Sequence, residues 1–288
     1  MSRLAIGTVQ FGLPYGVANQ VGQVSRAEAK AMLQVALDNG IDTLDTAIAY
    51  GDSEACLGKV GTSGFKLITK LPALPDSSVD INTWVQQEVS ASLLRMGVTK
   101  VYGLLLHRSE QLLGSRGVLL YKALESLKND GLVQKIGISI YSPNELVVLT
   151  PQYHFDLVQA PFSLVDRRLY STSWMQRLKD ADVEIHTRSV FLQGLLLMSH
   201  ADMPIKFAPW ADLWETWNRW LADHDCSAVE ACLAFPLSFP EIDRVVVGAD
   251  SVSQLAQIVS AVKQVKINLP NLQSEDENLI NPGNWNLL

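Results

Sequence analysis

Val101-Tyr102-Gly103-Leu104-Leu105-Leu106-His107 is a short apolar run closed by a histidine. Six residues fall far short of the roughly 20 that cross a bilayer. Apolar side chains on both faces belong to a strand buried in a parallel sheet. On either side of the run the period changes. Trp84–Met96 and Val118–Asn129 carry helical periodicity and stop at Gly97 and Gly131. A strand between two such helices is one step of a βα series. The same step recurs, with strands expected at Leu4–Thr8, Thr43–Thr46, Lys66–Thr69, Val101–Leu106, Lys135–Ile140, Leu157–Ala160, Glu184–Ser189 and Arg244–Val247.

Helix starts support the series. Ser25-x-x-Glu28, Ser142-x-x-Glu145, Ser227-x-x-Glu230 and Ser251-x-x-Gln254 have the capping-box pattern, the second with Pro143 at the first helical position. Eight βα units point to an α/β protein, either a closed barrel or a doubly wound sheet. The count of eight favours the (β/α)8 TIM barrel. So does the lack of a GxGxxG or GxxxxGK[ST] loop after an early strand. The 288 residues suit one barrel of about 250 residues with its loops, although two ordinary domains fit the length as well. The reading adopted is one barrel domain over residues 1–270. The Asn-rich tail 271–288 is expected to lie across a barrel face or to stay partly disordered.

A net charge of −7 without a basic stripe excludes nucleic acid and anionic membrane as natural partners. Three cysteines, Cys56, Cys226 and Cys232, form no CxxC pair. That argues against a disulfide framework and a zinc site, and for cysteines buried as small apolar residues. The start of the chain lacks the apolar core of a signal peptide, so the expected location is cytoplasmic.

Barrel active sites form where the strands end. The second strand ends near Asp45, the third at Lys70 and the fourth at His107; Tyr50 follows Asp45 in the next loop. Taken singly, each has a structural reading: a loop cap, a solvated strand end, a packed histidine, a loop aromatic. Four titratable groups converging on one rim point instead to a functional site.

The arrangement resembles the aldo-keto reductase family from about Leu4 to Val262. The matching segments are Gly7-Thr8-Val9-Gln10-Phe11-Gly12, Gly40-Ile41-Asp42-Thr43-Leu44-Asp45-Thr46-Ala47 and Tyr50-Gly51-x-Ser53-Glu54-x-x-Leu57-Gly58. Ile68-Thr69-Lys70, Leu105-Leu106-His107-Arg108, Ile136-Gly137-Ile138-Ser139, Val158-Gln159 and Gln193-Gly194-Leu195-Leu196 complete the set. The resemblance implies an NAD(P)H-dependent enzyme that reduces an aldehyde or ketone, with a catalytic tetrad on Asp45, Tyr50, Lys70 and His107. Tyrosine is a weak acid at neutral pH, and a neighbouring ammonium favours its phenolate. In this scheme Lys70 supplies that charge, Asp45 orients Lys70, and His107 places the substrate oxygen.

The resemblance also places the nicotinamide carboxamide against Ser139 and Gln159. It counts Gly7, Thr8, Asp45 and Ser189 among the cofactor contacts, and Gly248, Ser251, Gln254 and Gln257 toward the adenosine end. Four residues, at three places, depart from the family pattern. Ile140 replaces the usual Asn after Ser139. Arg188 stands where an aromatic ring often stacks on the nicotinamide; a guanidinium can stack too, or it can pair with a carboxylate. Asp250 and Ser251 stand where a cation commonly holds the 2′-phosphate. NADP(H) is expected by family habit, with NAD(H) as the alternative. The partner is a small-molecule carbonyl or alcohol. Specificity is expected from Phe11–Tyr15, the region Trp210–Trp217 and the tail. Two other functions fit the same residues: a redox-sensing cofactor-binding subunit, and a hydrolase or lyase with Lys70 as a Schiff-base nucleophile.

Overall fold

The computed structural model of the protein describes residues 2–75, 80–262 and 269–288. Among them eight parallel strands follow one another around a closed barrel, and the last pairs back onto the first. They are β1 (Leu4–Gly7), β2 (Thr43–Asp45), β3 (Lys66–Leu71), β4 (Val101–Leu106), β5 (Val133–Ser139), β6 (Leu157–Pro161), β7 (Glu184–Arg188) and β8 (Arg244–Val247). Every expected strand is present; Val101–Leu106 and Arg244–Val247 keep their expected ends, and the others move at one or both ends by one or two residues. Thr8, Thr46 and Ile140 fall just past strand ends yet keep ladder-like bonds, N–H to Asp45 O at 2.9 Å, Ile68 O at 2.8 Å and Gln159 O at 2.8 Å.

The barrel interior is layered. Ile68, Leu105 and Leu157 form a dry apolar cluster, separate from the larger core between strands and helices. Lys70 and Asp45 lie toward the C-terminal rim. Toward the N-terminal ends of the strands, Glu184 accepts from Tyr102 Oη at 2.7 Å, bonds the fully buried His186 Nε2 at 2.8 Å and pairs with Lys135. Burial alone would raise the Glu184 carboxyl, but hydrogen bonds from His186, Lys135 and Tyr102 hold it far below the usual carboxylate range.

A second buried carboxylate ties the early helices to the barrel. Glu54, on the helix Ser53–Val60, is 1% exposed. It accepts from Thr69 Oγ1 at 2.7 Å, Ser92 Oγ at 2.6 Å and Arg95 Nε at 2.8 Å. Gly58 lets this helix press against the next one, because a Cβ there would lie 2.1 Å from Arg95 O. Glu54→Ala would strand three buried or half-buried donors. It should lower unfolding stability by about 3 kcal/mol, read as a fall in denaturant midpoint at constant m-value. An unchanged midpoint would show that the network adds nothing net.

The capping boxes part company. Ser227 and Glu230 make the full reciprocal box. Ser25 makes half of one: its Oγ accepts from Glu28 N at 3.2 Å, but the Glu28 carboxylate reaches across to another helix and accepts from Val252 N at 2.6 Å. A long-range partner has displaced the local one.

Residues 269–288 run across the protein. Ser274 N donates to Val165 O at 2.8 Å and Arg167 Nη2 to Pro270 O at 2.7 Å. Trp285 is buried, edge-on to Phe207 with ring centroids 4.8 Å apart. Cys56 and Cys232 are buried and Cys226 is half-buried. Among the described residues no helix is long and apolar enough to cross a membrane, and no group of three or more His, Cys, Asp or Glu could hold a metal ion.

Candidate active site

Register brings the titratable strand ends together. Asp45 pairs with Ile68, and Lys70 stands two residues further along β3 on the same face. Lys70 is 1% exposed; its Nζ donates to Asp45 Oδ1 at 2.6 Å and to Thr46 O at 2.9 Å. The other Asp45 oxygen accepts from Gln159 Nε2 at 2.7 Å. Burial alone would lower the Lys70 ammonium. Asp45 and Tyr50 outweigh it and raise Lys70 above its ordinary value. Lys70 is therefore charged, and it does not line the cavity described below. A Schiff-base nucleophile needs a free amine open to substrate, so that expectation does not hold.

Tyr50 sits in the loop after β2 with its ring centroid 5.1 Å from Lys70 Nζ. The ring meets the edge of His107 at a centroid distance of 5.7 Å and an angle of 81°. Two glycines seat this loop. A Cβ on Gly12 would lie 1.8 Å from Tyr50 O, and Gly51 has a φ of +53°. Burial, the Lys70 ammonium and Arg188 together push His107 down to about 4. At neutral pH His107 is thus an uncharged imidazole, suited to hydrogen bonding rather than to acting as a strong acid.

The tetrad stands at one end of a cavity of about 640 Å³, into which Asp45, Tyr50 and His107 face. Of the positions expected to contact a cofactor, Gly7, Thr8, Asp45, Ser139, Gln159, Arg188, Ser189, Gly248, Gln254 and Gln257 line it. Ser251 does not; its Oγ caps the next helix, accepting from Gln254 N at 3.2 Å. Ser139 Oγ donates to Gln159 Oε1 at 3.3 Å, so Gln159 links the expected carboxamide contact to Asp45. Ile140, where the family has Asn, buries its side chain, and its carbonyl accepts from Arg188 Nη2 at 2.9 Å. Arg188 lies over the Tyr141 ring at 4.8 Å and donates to Ser189 Oγ at 3.2 Å. Among the described residues no carboxylate lies within 4.0 Å of its guanidinium, which removes the simple ion-pair reading.

The expected specificity segments divide. Tyr15 lines the cavity, and so do Pro282 and Gly283 of the tail, whereas Phe11 is fully buried. The region Trp210–Trp217 does not reach the cavity. Trp214 and Trp217 are core residues, their indole N–H groups donating to Phe207 O at 2.9 Å and Leu196 O at 3.0 Å. Sequence reasoning passed over Tyr141, Gln193, Asn19 and Gln10, all of which line the cavity. Gln10 had a usable signal, being the polar residue of the apolar turn that follows β1.

A nicotinamide dinucleotide fits these residues. Gln10 is 9% exposed and its Oε1 is buried without a partner. A buried acceptor of that kind calls for a donor. Gly248 keeps the cavity wall bare, since a Cβ there would lie 2.5 Å from Gln10 Nε2. Ser139 and Gln159 retain hydrogen-bonding capacity for an amide.

Comparison with known proteins agrees with this geometry. Residues 3–272 match the model of the aldo/keto reductase family. D-threo-aldose 1-dehydrogenase of a Pseudomonas species is 28% identical over 88% of this chain and 89% of its own length. The Bacillus subtilis oxidoreductase YqkF is 24% identical over 81% of this chain and 82% of its own. In structure, the holo form of the aldo-keto reductase AKR11C1 from Bacillus halodurans superposes with a TM-score of 0.74 at 21% identity, covering 93% of this chain and 88% of that one. A closed eight-stranded barrel whose second, third and fourth strands carry Asp45, Lys70 and His107 to one rim, matched by the family model from end to end of the barrel, makes this chain a member of the aldo/keto reductase family.

Proposed function

We propose that this chain is an NAD(P)H-dependent oxidoreductase that reduces an aldehyde or ketone to its alcohol, with Tyr50 as proton donor. The observation that carries the reading is the buried Lys70–Asp45 ion pair, 2.6 Å long, beneath the Tyr50 ring at the cavity wall. A permanently charged ammonium is desolvated there for no structural gain that a buried apolar residue would not give. It is well placed to stabilise a phenolate.

When bound, a nicotinamide would supply the hydride for the carbonyl carbon. Tyr50 gives its proton to the carbonyl oxygen. Lys70, held by Asp45 and the Thr46 carbonyl, stabilises the charge left on the phenol oxygen. His107, neutral, holds the substrate oxygen. Ser139 and Gln159 would hold the carboxamide; Gly7, Thr8, Ser189, Gly248, Gln254 and Gln257 would line the rest of the cofactor. NADP(H) is the family habit and NAD(H) the alternative. Residues 1–270 form the catalytic barrel, and 271–288 a cover that brings Pro282 and Gly283 to the cavity.

The test is turnover, followed by the absorbance of the reduced cofactor, across a panel of aldehydes, ketones and sugars. The relative named for an aldose puts aldoses first in the panel. Tight cofactor binding with no turnover of any carbonyl would replace this reading with a binding role.

Arg188 allows a finer test. Its guanidinium lies in the cavity wall with no carboxylate to neutralise it among the described residues. An oxidised nicotinamide is cationic and a reduced one neutral, so Arg188 should disfavour the oxidised form. Arg188→Tyr keeps a flat side chain and removes the charge. We expect oxidised cofactor to bind about 0.5–2 kcal/mol more tightly, with less change for the reduced form, in calorimetric titrations. Equal changes for both forms would show that Arg188 does not sense the ring charge.

A further inference from the structure

We infer that the adenosine end of the cavity accepts a ribose with a free 2′-hydroxyl, so that the chain selects NAD(H) over NADP(H), and that Glu28 and Asp250 do the selecting. The inference rests on the cofactor reading above and gives it one form.

The loop after β8, Gly248-Ala249-Asp250-Ser251, leads into the helix Val252–Ala261. The free N–H groups at such a helix start are a natural seat for a phosphate. Here two of those groups are engaged by side chains of the protein itself. Val252 N donates to Glu28 Oε1 at 2.6 Å, and Gln254 N donates to Ser251 Oγ at 3.2 Å. The Glu28 carboxylate arrives from the helix Arg26–Asp38, giving up its own capping bond to do so. The protein thus sets its own anion on the first N–H of this helix, between the cavity-lining Asp250 and Gln254 in the chain, although Glu28 itself does not line the cavity.

Asp250 adds a second carboxylate beside it. Asp250 lines the cavity and is steadied by Asn19 Nδ2 at 3.3 Å, while its N–H donates to Gln254 Oε1 at 2.7 Å. Among the described residues lining the cavity, Arg188 is the one lysine or arginine, and it stands beside Tyr141, Ser189 and the tetrad's His107. A 2′-phosphate near Asp250 and Glu28 would meet two like charges in a half-buried site. A 2′-hydroxyl would instead donate to a carboxylate.

Gln10 adds a polar contact at the same loop. Its Oε1 is an acceptor buried without a partner, and its amide rests against Gly248 in the same loop. A ribose hydroxyl can donate to it. The Nε2 of Gln10, the atom nearest Gly248, can donate in turn, so Gln10 marks a polar ligand at this end without choosing between the two cofactors.

The experiment is fluorescence titration of the full chain with NADH and with NADPH, for wild type, Glu28→Gln and Asp250→Asn. Glu28→Gln keeps an oxygen for Val252 N and loses only the charge. Wild type should bind NADH at least about tenfold more tightly than NADPH. Each variant should narrow that ratio by about three- to tenfold, mainly through tighter NADPH binding. Added salt should narrow it for wild type, because screening weakens the repulsion. A wild type that binds both equally or prefers NADPH overturns the inference while the cofactor reading stands. So does a ratio that neither variant nor salt moves. A chain that binds neither nucleotide overturns the cofactor reading and this inference with it. If Glu28→Gln does not fold, Asp250→Asn and the salt series decide.

Discussion

Tyr50→Phe should lower kcat by about 10²–10⁴, the usual worth of a positioned general acid, with little change in cofactor affinity. The substitution removes one oxygen and leaves the ring. The loop around it is seated by Gly12 and Gly51, and the ring keeps its edge contact with His107, so the geometry of the site survives. No neighbour can take over the proton. Lys70 is engaged by Asp45 and Thr46 beneath the cavity wall. His107, lowered to about 4, carries no acidic proton at neutral pH. Steady-state rates and cofactor titrations of the same preparation make the comparison. Normal turnover would take Tyr50 out of the mechanism.

Lys70→Met should lower the rate by a comparable factor, because the phenol would lose the positive charge 5.1 Å from its ring that favours proton release. It should also destabilise the fold. Asp45 is 4% exposed and would keep only Gln159 as a side-chain donor, and an uncompensated buried charge costs about 3–5 kcal/mol. The two effects separate in the double variant Lys70→Met with Asp45→Asn. Removing the stranded carboxylate should restore much of the melting temperature and none of the rate. A double variant that regains both would mean that the ammonium supports the site by packing alone.

The barrel was legible because period and length speak clearly in short buried strands. Val101–Leu106 and Arg244–Val247 end where the composition says they end. The tetrad was legible for a related reason: an ionisable residue closing an apolar run has one natural place in a barrel. Partners were harder to read. Ser25-x-x-Glu28 obeys a local capping rule, yet Val252, more than two hundred residues away, competes for the same carboxylate and wins. Trp214 and Trp217 have aromatic faces that suit a pocket as well as a core, and only the packing of Phe207 and Leu196 around them decides. Arg188 is held by the backbone carbonyl of Ile140 and the ring of Tyr141, and a carbonyl contact leaves no mark in the order of side chains. Gln10 shows in the sequence only as the polar residue of an apolar turn; that its Oε1 lacks a partner is visible only in the fold.

The three residues Ile68, Leu105 and Leu157 act as an insulator. On one side lies a charged plate built on Lys70 and Asp45, on the other a second plate built on Glu184, His186, Tyr102 and Lys135. The apolar layer offers no side-chain donor or acceptor, so it carries no proton from one plate to the other, while their charges still act on each other across this low-dielectric gap. A proton taken up at the foundation of the barrel thus finds no side-chain relay among these three residues toward the chemistry at its mouth.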